Sequence, residues 1–250
     1  MSQAYGLSCR GGLNTNLNSI EILGQPGFAK ILENFEVDPD GGYRRINGFT
    51  AYGGASSARP NSSNAILGMA AYGDGVIVCS GTDIFFSNTG TSWLQINRAS
   101  VSASGDNHTT FTGRSVLTRS TQGQCTFALS EGADFDYGEI VIADGSNKPF
   151  LFRMEGTGGD VSSRTFFASE ITVTGTKGVK YVTIHDHHLI AAGVQDNLNT
   201  VFYSVYNDID DFSGSGSGSV AITDQVQGIK SFRENLIVFS KNSIQKLINI

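Results

Sequence analysis

The chain has 250 residues, a formal net charge of −6 and only 16% charged residues, and its 31 glycines contrast with 4 prolines. An acidic chain without clustered Lys and Arg cannot displace counterions from DNA phosphates, so we do not expect this protein to bind nucleic acid tightly. No apolar run approaches the roughly 20 residues needed to span a bilayer, and the N-terminus shows no signal-peptide pattern. Abundant Gly, Ser, Asn and Thr favour short strands joined by tight turns.

Residues 1–64 predict an N-terminal arm with one short helix and one hairpin. The stretch GFAKILENF (27–35) places apolar residues at helical spacing after Pro26. Asp-Pro-Asp-Gly then provides strong turn chemistry, so Val37 and Tyr43 should flank a hairpin tip. Residues 53–64 have no periodicity and indicate a flexible loop.

The arm cannot bury enough surface to fold alone, so its apolar anchors should lie against a folded surface. Arg44 and Arg45 are placed to pair with acidic groups of a neighbouring protomer. The predicted subunit interface therefore comprises Leu13, Leu17, Ile22, Phe28, Arg44 and Arg45.

Residues 65–250 repeat one pattern four times, with a polar turn, a short apolar run, a second turn and a second apolar run. The first apolar runs begin at Val76, Ile140, Leu189 and Leu236, a drifting period of roughly 50 residues. Strand-rich units at this period are typical of propeller blades, so we predict an all-β protein, a β-propeller with an extended N-terminal arm. Buried strands are expected at 75–80, 139–143, 188–192 and 235–239. The last repeat ends in a strand-like run, so the ring is expected to be incomplete at the C-terminus.

The sequence HDHH (185–188) suggests a metal site or a catalytic base. A zinc site needs three or four converging ligands, and no third ligand is placed by this spacing. In the aligned repeats, HDHH occupies the polar turn that leads into a buried strand, so a structural turn is the favoured interpretation.

Three further motifs invite a functional interpretation and favour a structural one. The stretch SNTGTSW (87–93) approximates the aspartate box of sialidase-like propellers, a structural turn between outer strands. The stretch GSGSGS (214–219) lacks the context of a phosphate-binding loop and predicts a flexible surface loop. The stretch DIDDF (208–212) lacks calcium-loop spacing and predicts a solvated acidic turn.

No nucleophile elbow, HExxH motif or P-loop occurs, so we predict no enzyme and no catalytic, cofactor or metal site. The cysteines Cys9, Cys79 and Cys125 form no CxxC pair and are expected to be reduced and buried.

Two regions of the chain carry a family likeness. The first contains GGLNTN (11–16) and ENFEVDPDGGYRRINGF (33–49), and the second contains residues 185–222 and IKSFRENLIVFSKNSIQKL (229–247). They resemble the tail nozzle or hub proteins of short-tailed bacteriophages, also called packaged-DNA stabilisation proteins. The likeness covers about half of the chain and leaves 97–135 unmatched. Family members are usually longer than this chain.

The resemblance implies a propeller subunit in a ring, six-fold in the family, located in the virion tail and assembled in the host cytoplasm. The implied partners are copies of the chain, a tail-adaptor or portal-side ring, and tail fibre or spike proteins. The lumen of the ring would let the genome pass without specific binding and would help to retain it, and an acidic lumen would let the duplex slide. The alternative function is a propeller that binds a host-surface glycan or receptor, which predicts an exposed aromatic cluster. A sialidase-like or lyase enzyme would need an arginine triad or a carboxylate pair that spacing does not supply.

Overall fold

The computed structural model describes residues 12–13, 16, 21, 28–29, 35–37, 43–46, 48, 51–53, 60, 64–97, 109–111, 119, 123–130, 137–155 and 165–247. The chain falls into two compact units, Met1–Ala51 and Tyr52–Ile250. Within the described ranges, no helix has the length and apolar character needed to cross a membrane.

The described residues of the first unit form two small sheets. Strand β1 (Gly12–Leu13) pairs in parallel with β2 (Phe28–Ala29). Strand β3 (Phe35–Val37) pairs antiparallel with β4 (Tyr43–Arg45), and Val37 lies directly opposite Tyr43. The predicted hairpin is therefore confirmed.

The predicted helix over 27–35 is wrong where the structure describes it. Phe28 and Ala29 form β2 and Phe35 begins β3, while the other residues of this stretch lie outside the described part of the chain. A short amphipathic segment becomes helical only when its apolar stripe packs against something. Phe28 remains exposed, so the backbone pairs with β1 instead.

Four sheets of the second unit form the blades of a four-bladed β-propeller, with their strands in chain order. Blade 1 contains β5 (Ile66–Tyr72), β6 (Gly75–Ser80), β7 (Asp83–Ser87) and β8 (Leu94–Gln95). Blade 2 contains β10 (Thr126–Ser130), β11 (Glu139–Ala143), β12 (Phe150–Glu155) and β13 (Thr165–Glu170), and β9 (Thr109–Phe111) pairs in parallel with β13 at its edge. Blade 3 contains β14 (Tyr181–His185), β15 (His188–Val194), β16 (Asn197–Tyr203) and β17 (Gly218–Ala221). Blade 4 contains β18 (Val226–Phe232), β19 (Asn235–Ser240) and β20 (Ile244–Leu247). The all-β propeller prediction is confirmed.

The four buried strands predicted from the repeat are the second strands of the four blades. Strands β6, β11, β15 and β19 match the predicted ranges to within two residues. Each is flanked by a strand on both sides, which explains the continuous apolar runs. The first strands of neighbouring blades contact one another, so these first strands lie nearest the propeller axis.

Three apolar cores lie between consecutive blades. Alternate residues of each second strand face the preceding and the following blade, as strand geometry requires. Ile140, Leu189 and Leu236 face the preceding blade and are fully buried. Val76 holds the equivalent place in blade 1 but is only half-buried, so the expectation that all four are buried is wrong here. Among the described residues, no blade sheet precedes blade 1 along the chain.

The boundary between the units lies before the predicted arm ends. The Tyr52 hydroxyl donates a hydrogen bond to the Ser87 carbonyl at 3.1 Å. A Cβ added to Gly53 would lie 2.6 Å from the carbonyl carbon of Gly90, so these backbones touch. Tyr52 and Gly53 thus belong to blade 1, whereas most of the predicted 53–64 loop lies outside the described residues.

Candidate functional site

The HDHH sequence forms a tight hairpin turn at one rim of blade 3. His185 and His188 lie directly opposite each other at the ends of β14 and β15. Asp186 and His187 make the turn with φ angles of 45° and 63°. Positive φ at both central residues is the geometry that matches the twist of a two-residue hairpin. The predicted turn before a buried strand is confirmed.

The two flanking histidines are buried and hydrogen-bonded. His185 Nδ1 lies 3.0 Å from the Ser231 hydroxyl of blade 4. His188 Nδ1 lies 2.6 Å from the Ser204 carbonyl, which can only accept, so His188 Nδ1 carries the proton. Burial lowers the pKa of His185 and its neighbour His188 adds to this effect, against an opposing contribution from Asp186. His185 therefore links blade 3 to blade 4, and His188 links β15 to the residue that follows β16 within blade 3.

The turn residue His187 forms an exposed aromatic platform with Tyr206. Their ring centroids lie 5.2 Å apart, and the His188 ring approaches Tyr206 edge-on at 5.6 Å. The Asn207 N–H donates to the His187 carbonyl at 3.0 Å, which ties the loop after β16 to the turn. Tyr206 is 53% exposed. Both side chains of this platform are solvent-exposed.

The acidic loop beside the platform is joined to blade 2. Asp210 approaches the Arg153 guanidinium at 3.6 Å, and Arg153 also hydrogen-bonds Glu139. Burial raises the pKa of Asp210, and so does its hydrogen bond with Asp208, against the opposing effect of Arg153. The sequence predicted only a solvated turn and missed this cross-blade ion pair, because Arg153 lies far away along the chain.

Asp211 organises the turn that the sequence predicted. Its Oδ1 accepts hydrogen bonds from the N–H groups of Ser213 at 2.8 Å and Gly214 at 3.0 Å. Together with the Ser213 hydroxyl, these donors lower the pKa of the exposed Asp211 carboxyl. Among the described residues, no three His, Cys, Asp or Glu side chains are grouped as a metal site would require. The acidic stretch thus stabilises its own turn through Asp211 and forms an ion pair with Arg153 through Asp210.

The GSGSGS stretch is not the uniform flexible loop that was predicted. The Ser217 N–H donates to the Gly214 carbonyl at 3.1 Å, and Gly218–Ala221 then forms β17 paired with β16. Ladder pairing with β16 overrides the weak strand preference of Gly and Ser.

The approximate aspartate box at 87–93 forms the predicted turn between the outer strands β7 and β8. The Ser87 hydroxyl accepts from the N–H groups of Thr89 and Gly90, and Gly90 takes a φ of 76°. Trp93 packs edge-on against Tyr52 with a centroid distance of 6.3 Å. The motif is structural in this chain.

The predicted subunit-interface residues are only partly described. Leu13 and Phe28 lie exposed on the paired strands β1 and β2. Arg44 forms an exposed ion pair with Glu36 across the β3–β4 hairpin at 2.7 Å, and Arg45 is also exposed. Leu17 and Ile22 lie outside the described residues. Their role as an interface stays a prediction.

Sequence reasoning missed a buried charge cluster between blades 1 and 2. The side chains of Arg119 and Asp144 are fully buried, and their ion pair measures 3.0 Å. Arg119 also donates to the carbonyls of Gly81 and Gly123, so one guanidinium joins the two blades. Arg119 lies in a stretch without any recognisable pattern, so no local signal could have revealed it.

Asp144 also closes its own turn. Burial by itself raises the pKa of Asp144, but N–H donors of Ser146 and Asn147, together with Arg119, outweigh it and hold this pKa below its ordinary value. The DGSN sequence at 144–147 was the one available sign of that turn.

Cys79 and Cys125 are buried free thiols beside this cluster, as predicted, while Cys9 lies outside the described residues. A side-chain hydrogen bond with Cys125 and burial raise the pKa of Cys79, so this thiol stays protonated.

Comparisons with known proteins give structural likeness only. No protein-family model matches the chain, and no curated protein matches it. The computationally designed Ika4 protein aligns with a TM-score of 0.46 at 9% identity, over 75% of this chain and 93% of that chain. The designed Ika8 protein aligns with a TM-score of 0.43 at 10% identity, over 74% of this chain and 46% of that one. The Pan2 WD40 domain of Neurospora crassa gives 0.39 at 10% identity, over 69% and 41%. These alignments assign no function to the chain.

Proposed function

We propose that this chain is a non-enzymatic structural subunit of a bacteriophage tail, of the nozzle or hub kind, that assembles through its propeller. The observation that carries the proposal is the resemblance at residues 185–247. This stretch coincides with the part of the propeller that runs from the HDHH turn through β15 to β20. The sequence that resembles the family therefore covers consecutive strands of blades 3 and 4 rather than isolated short motifs.

The polar residues in that stretch support a structural role, because their contacts are internal. His185 and His188 bond to other strands or loops, Asp210 pairs with Arg153, and Asp211 closes its own turn. Polar side chains with such internal contacts position the blades, and this role requires no substrate. A ring of such acidic subunits would repel DNA phosphates and let the genome slide through its lumen.

The test uses virions of the phage that encodes the chain. Antibody raised against residues 52–250 should label the tail in electron micrographs, and quantitative mass spectrometry should find several copies per particle. Absence of the chain from purified virions would contradict the proposal.

A second candidate function is recognition of a host-surface glycan, and the exposed platform of His187 and Tyr206 favours it. Aromatic rings give large apolar contact area with a polar edge, which suits binding to a sugar face. Y206A and H187A should then abolish retention of the protein on host cells or on a glycan array. A tail-nozzle subunit should show no such retention with either the wild-type or the variant chain.

A further inference from the structure

Two buried thiols lie side by side in the apolar core between blades 1 and 2. Cys79 belongs to β6, the second strand of blade 1, and Cys125 directly precedes β10, the first strand of blade 2. Both side chains belong to the same hydrophobic cluster, and a hydrogen bond joins them. Both are free thiols in this structure. The pair therefore spans a boundary between two blades.

The backbone of β5 explains how these two cysteines come together. Cys79 lies directly opposite Gly68, next to a bulge in the ladder between β5 and β6. The Cys125 N–H donates a hydrogen bond of 2.9 Å to the carbonyl of Leu67, which lies in that bulge. A Cβ added to Gly68 would lie 3.0 Å from the Cβ of Cys125, so the glycine leaves the space that the Cys125 side chain occupies. The bulge and the glycine thus place Cys125 beside Cys79.

The surroundings make the two thiols chemically unequal. The hydrogen bond from Cys79 and the positive charge of Arg119 lower the pKa of Cys125, although burial and the Asp144 carboxylate oppose them. The same hydrogen bond, together with burial, raises the pKa of Cys79. Cys125 is 7% exposed, whereas Cys79 is completely buried. A small molecule that enters this core therefore meets Cys125 first, and Cys125 is also the thiol that ionises more easily.

We propose that Cys79 and Cys125 form an oxidation site, at which hydrogen peroxide converts the two thiols into a disulfide that joins blade 1 to blade 2. The thiolate is the reactive form of cysteine, and a sulfenic acid condenses with a thiol to give a disulfide. Cys125 supplies the thiolate, and Cys79 is the thiol already in contact with it. Peroxide is small and uncharged, which suits a site as enclosed as this one. The inference rests on the thiol pair and does not depend on the phage assignment.

The reaction takes place in two steps. The Cys125 thiolate sulfur attacks one oxygen of hydrogen peroxide, the O–O bond breaks, and hydroxide leaves, so that Cys125 becomes a sulfenic acid. That hydroxide takes up the proton that Cys125 released and becomes water. The Cys79 sulfur then attacks the Cys125 sulfur, the S–O bond breaks, and the departing hydroxide takes the Cys79 proton as a second water. In total, two thiols are oxidised to one disulfide, and one peroxide is reduced to two waters.

The experiment uses the full 250-residue chain with C9S, which leaves the two core cysteines as its only thiols. The folded protein is treated with hydrogen peroxide at neutral pH. Intact mass spectrometry should show the loss of two hydrogen atoms, and peptide mapping should find Cys79 linked to Cys125. Dithiothreitol should restore the original mass, because thiol exchange reduces a disulfide. The oxidised chain should unfold about 5–10 °C above the reduced chain, because the link restricts the unfolded state.

Two single-cysteine variants test the unequal roles of the thiols. C9S with C79S retains only Cys125, which should gain one oxygen as a sulfenic acid and react with dimedone. C9S with C125S retains only Cys79, which should react with peroxide at least about tenfold more slowly. Far-UV circular dichroism should show the same strand signal for both variants. If either variant unfolds, dimedone added together with peroxide to the C9S chain tests the same roles, and it should label Cys125 and not Cys79.

Four results would overturn the proposal. A folded C9S chain that keeps both thiols, or that gains oxygen without the link, would show that the two sulfurs do not combine. A link that forms only after unfolding in urea would show that the fold does not bring the pair together. Dimedone labelling of Cys79 instead of Cys125 would contradict the assigned roles. An oxidised chain that unfolds at a lower temperature than the reduced chain would show that the link does not hold the two blades together.

Discussion

The equivalent positions of the blades allow a graded test of the propeller cores. Leu236 and Leu189 both face a preceding blade and are fully buried, whereas Val76, at the equivalent place in blade 1, is half-buried. Truncating each of them to alanine removes apolar contact at the same place in the repeat. The loss of stability should therefore follow the number of blades that surround the position.

The expected magnitudes follow from burial. L236A removes three carbons, which corresponds to about 2.4 kcal/mol of transfer free energy, and the residual cavity adds to it. Phe239 and Ile244 on the opposite face of blade 4 are exposed, so this blade can relax more easily around the cavity, and we expect about 2.5–3.5 kcal/mol for L236A. Leu189 lies in a blade with neighbours on both sides, so L189A should cost about 3.5–5 kcal/mol. V76A removes two carbons from a half-exposed site and should cost about 0.5–1.5 kcal/mol.

Urea unfolding followed by far-UV circular dichroism measures these free energies of unfolding. All variants are compared at one protein concentration, since association stabilises the folded state. A shift in midpoint at constant m-value reports stability alone. Equal losses for L236A and V76A, or a loss below about 0.5 kcal/mol for L189A, would refute the assignment of these positions to inter-blade cores.

Three further predictions concern buried polar groups and the first unit. R119A leaves the Asp144 carboxylate buried without its cation, so it should cost about 3–5 kcal/mol in urea unfolding. The folded pKa of Asp144 lies below its unfolded value, so its stabilisation is present above about pH 4 and is lost as pH falls through the folded pKa. If the free energy of unfolding of R119A fell at acidic pH in the same way as that of the wild type, this assignment would be contradicted. The folded pKa of His185 is also lowered, so stability should fall as pH drops below about 6.5. H185Q should flatten that fall between pH 7 and 5 while the exposed-turn variant H187Q keeps it, and identical profiles for the two variants would contradict the assignment. If the chain is the tail subunit proposed above, deleting residues 1–51 should leave a strand-rich protein that is missing from purified virions, and normal incorporation would show that the first unit is not an assembly element.

The amino-acid sequence determined the strands at the centre of the blades. Each of β6, β11, β15 and β19 is a short apolar run bounded by turn residues, and this local pattern is visible without any tertiary information. The turn at Asp186 and His187 was likewise predictable, because it recurs at one point of the repeat. Residues adjacent in the sequence are enough to determine these strands and turns.

Only the tertiary structure decided which faces meet and which polar groups become partners. Arg119 and Asp144 are 25 residues apart in the chain, and no spacing rule joins them. Val76 and Leu236 are equivalent in the repeat, but among the described blades only Leu236 has a preceding blade to pack on, so Leu236 is fully buried while Val76 is half-buried. Phe28 fits a helical pattern but lies in β2, where its side chain is exposed and its backbone pairs with β1. The burial of a residue depends on which distant parts of the chain pack against it, and the local sequence does not determine those contacts.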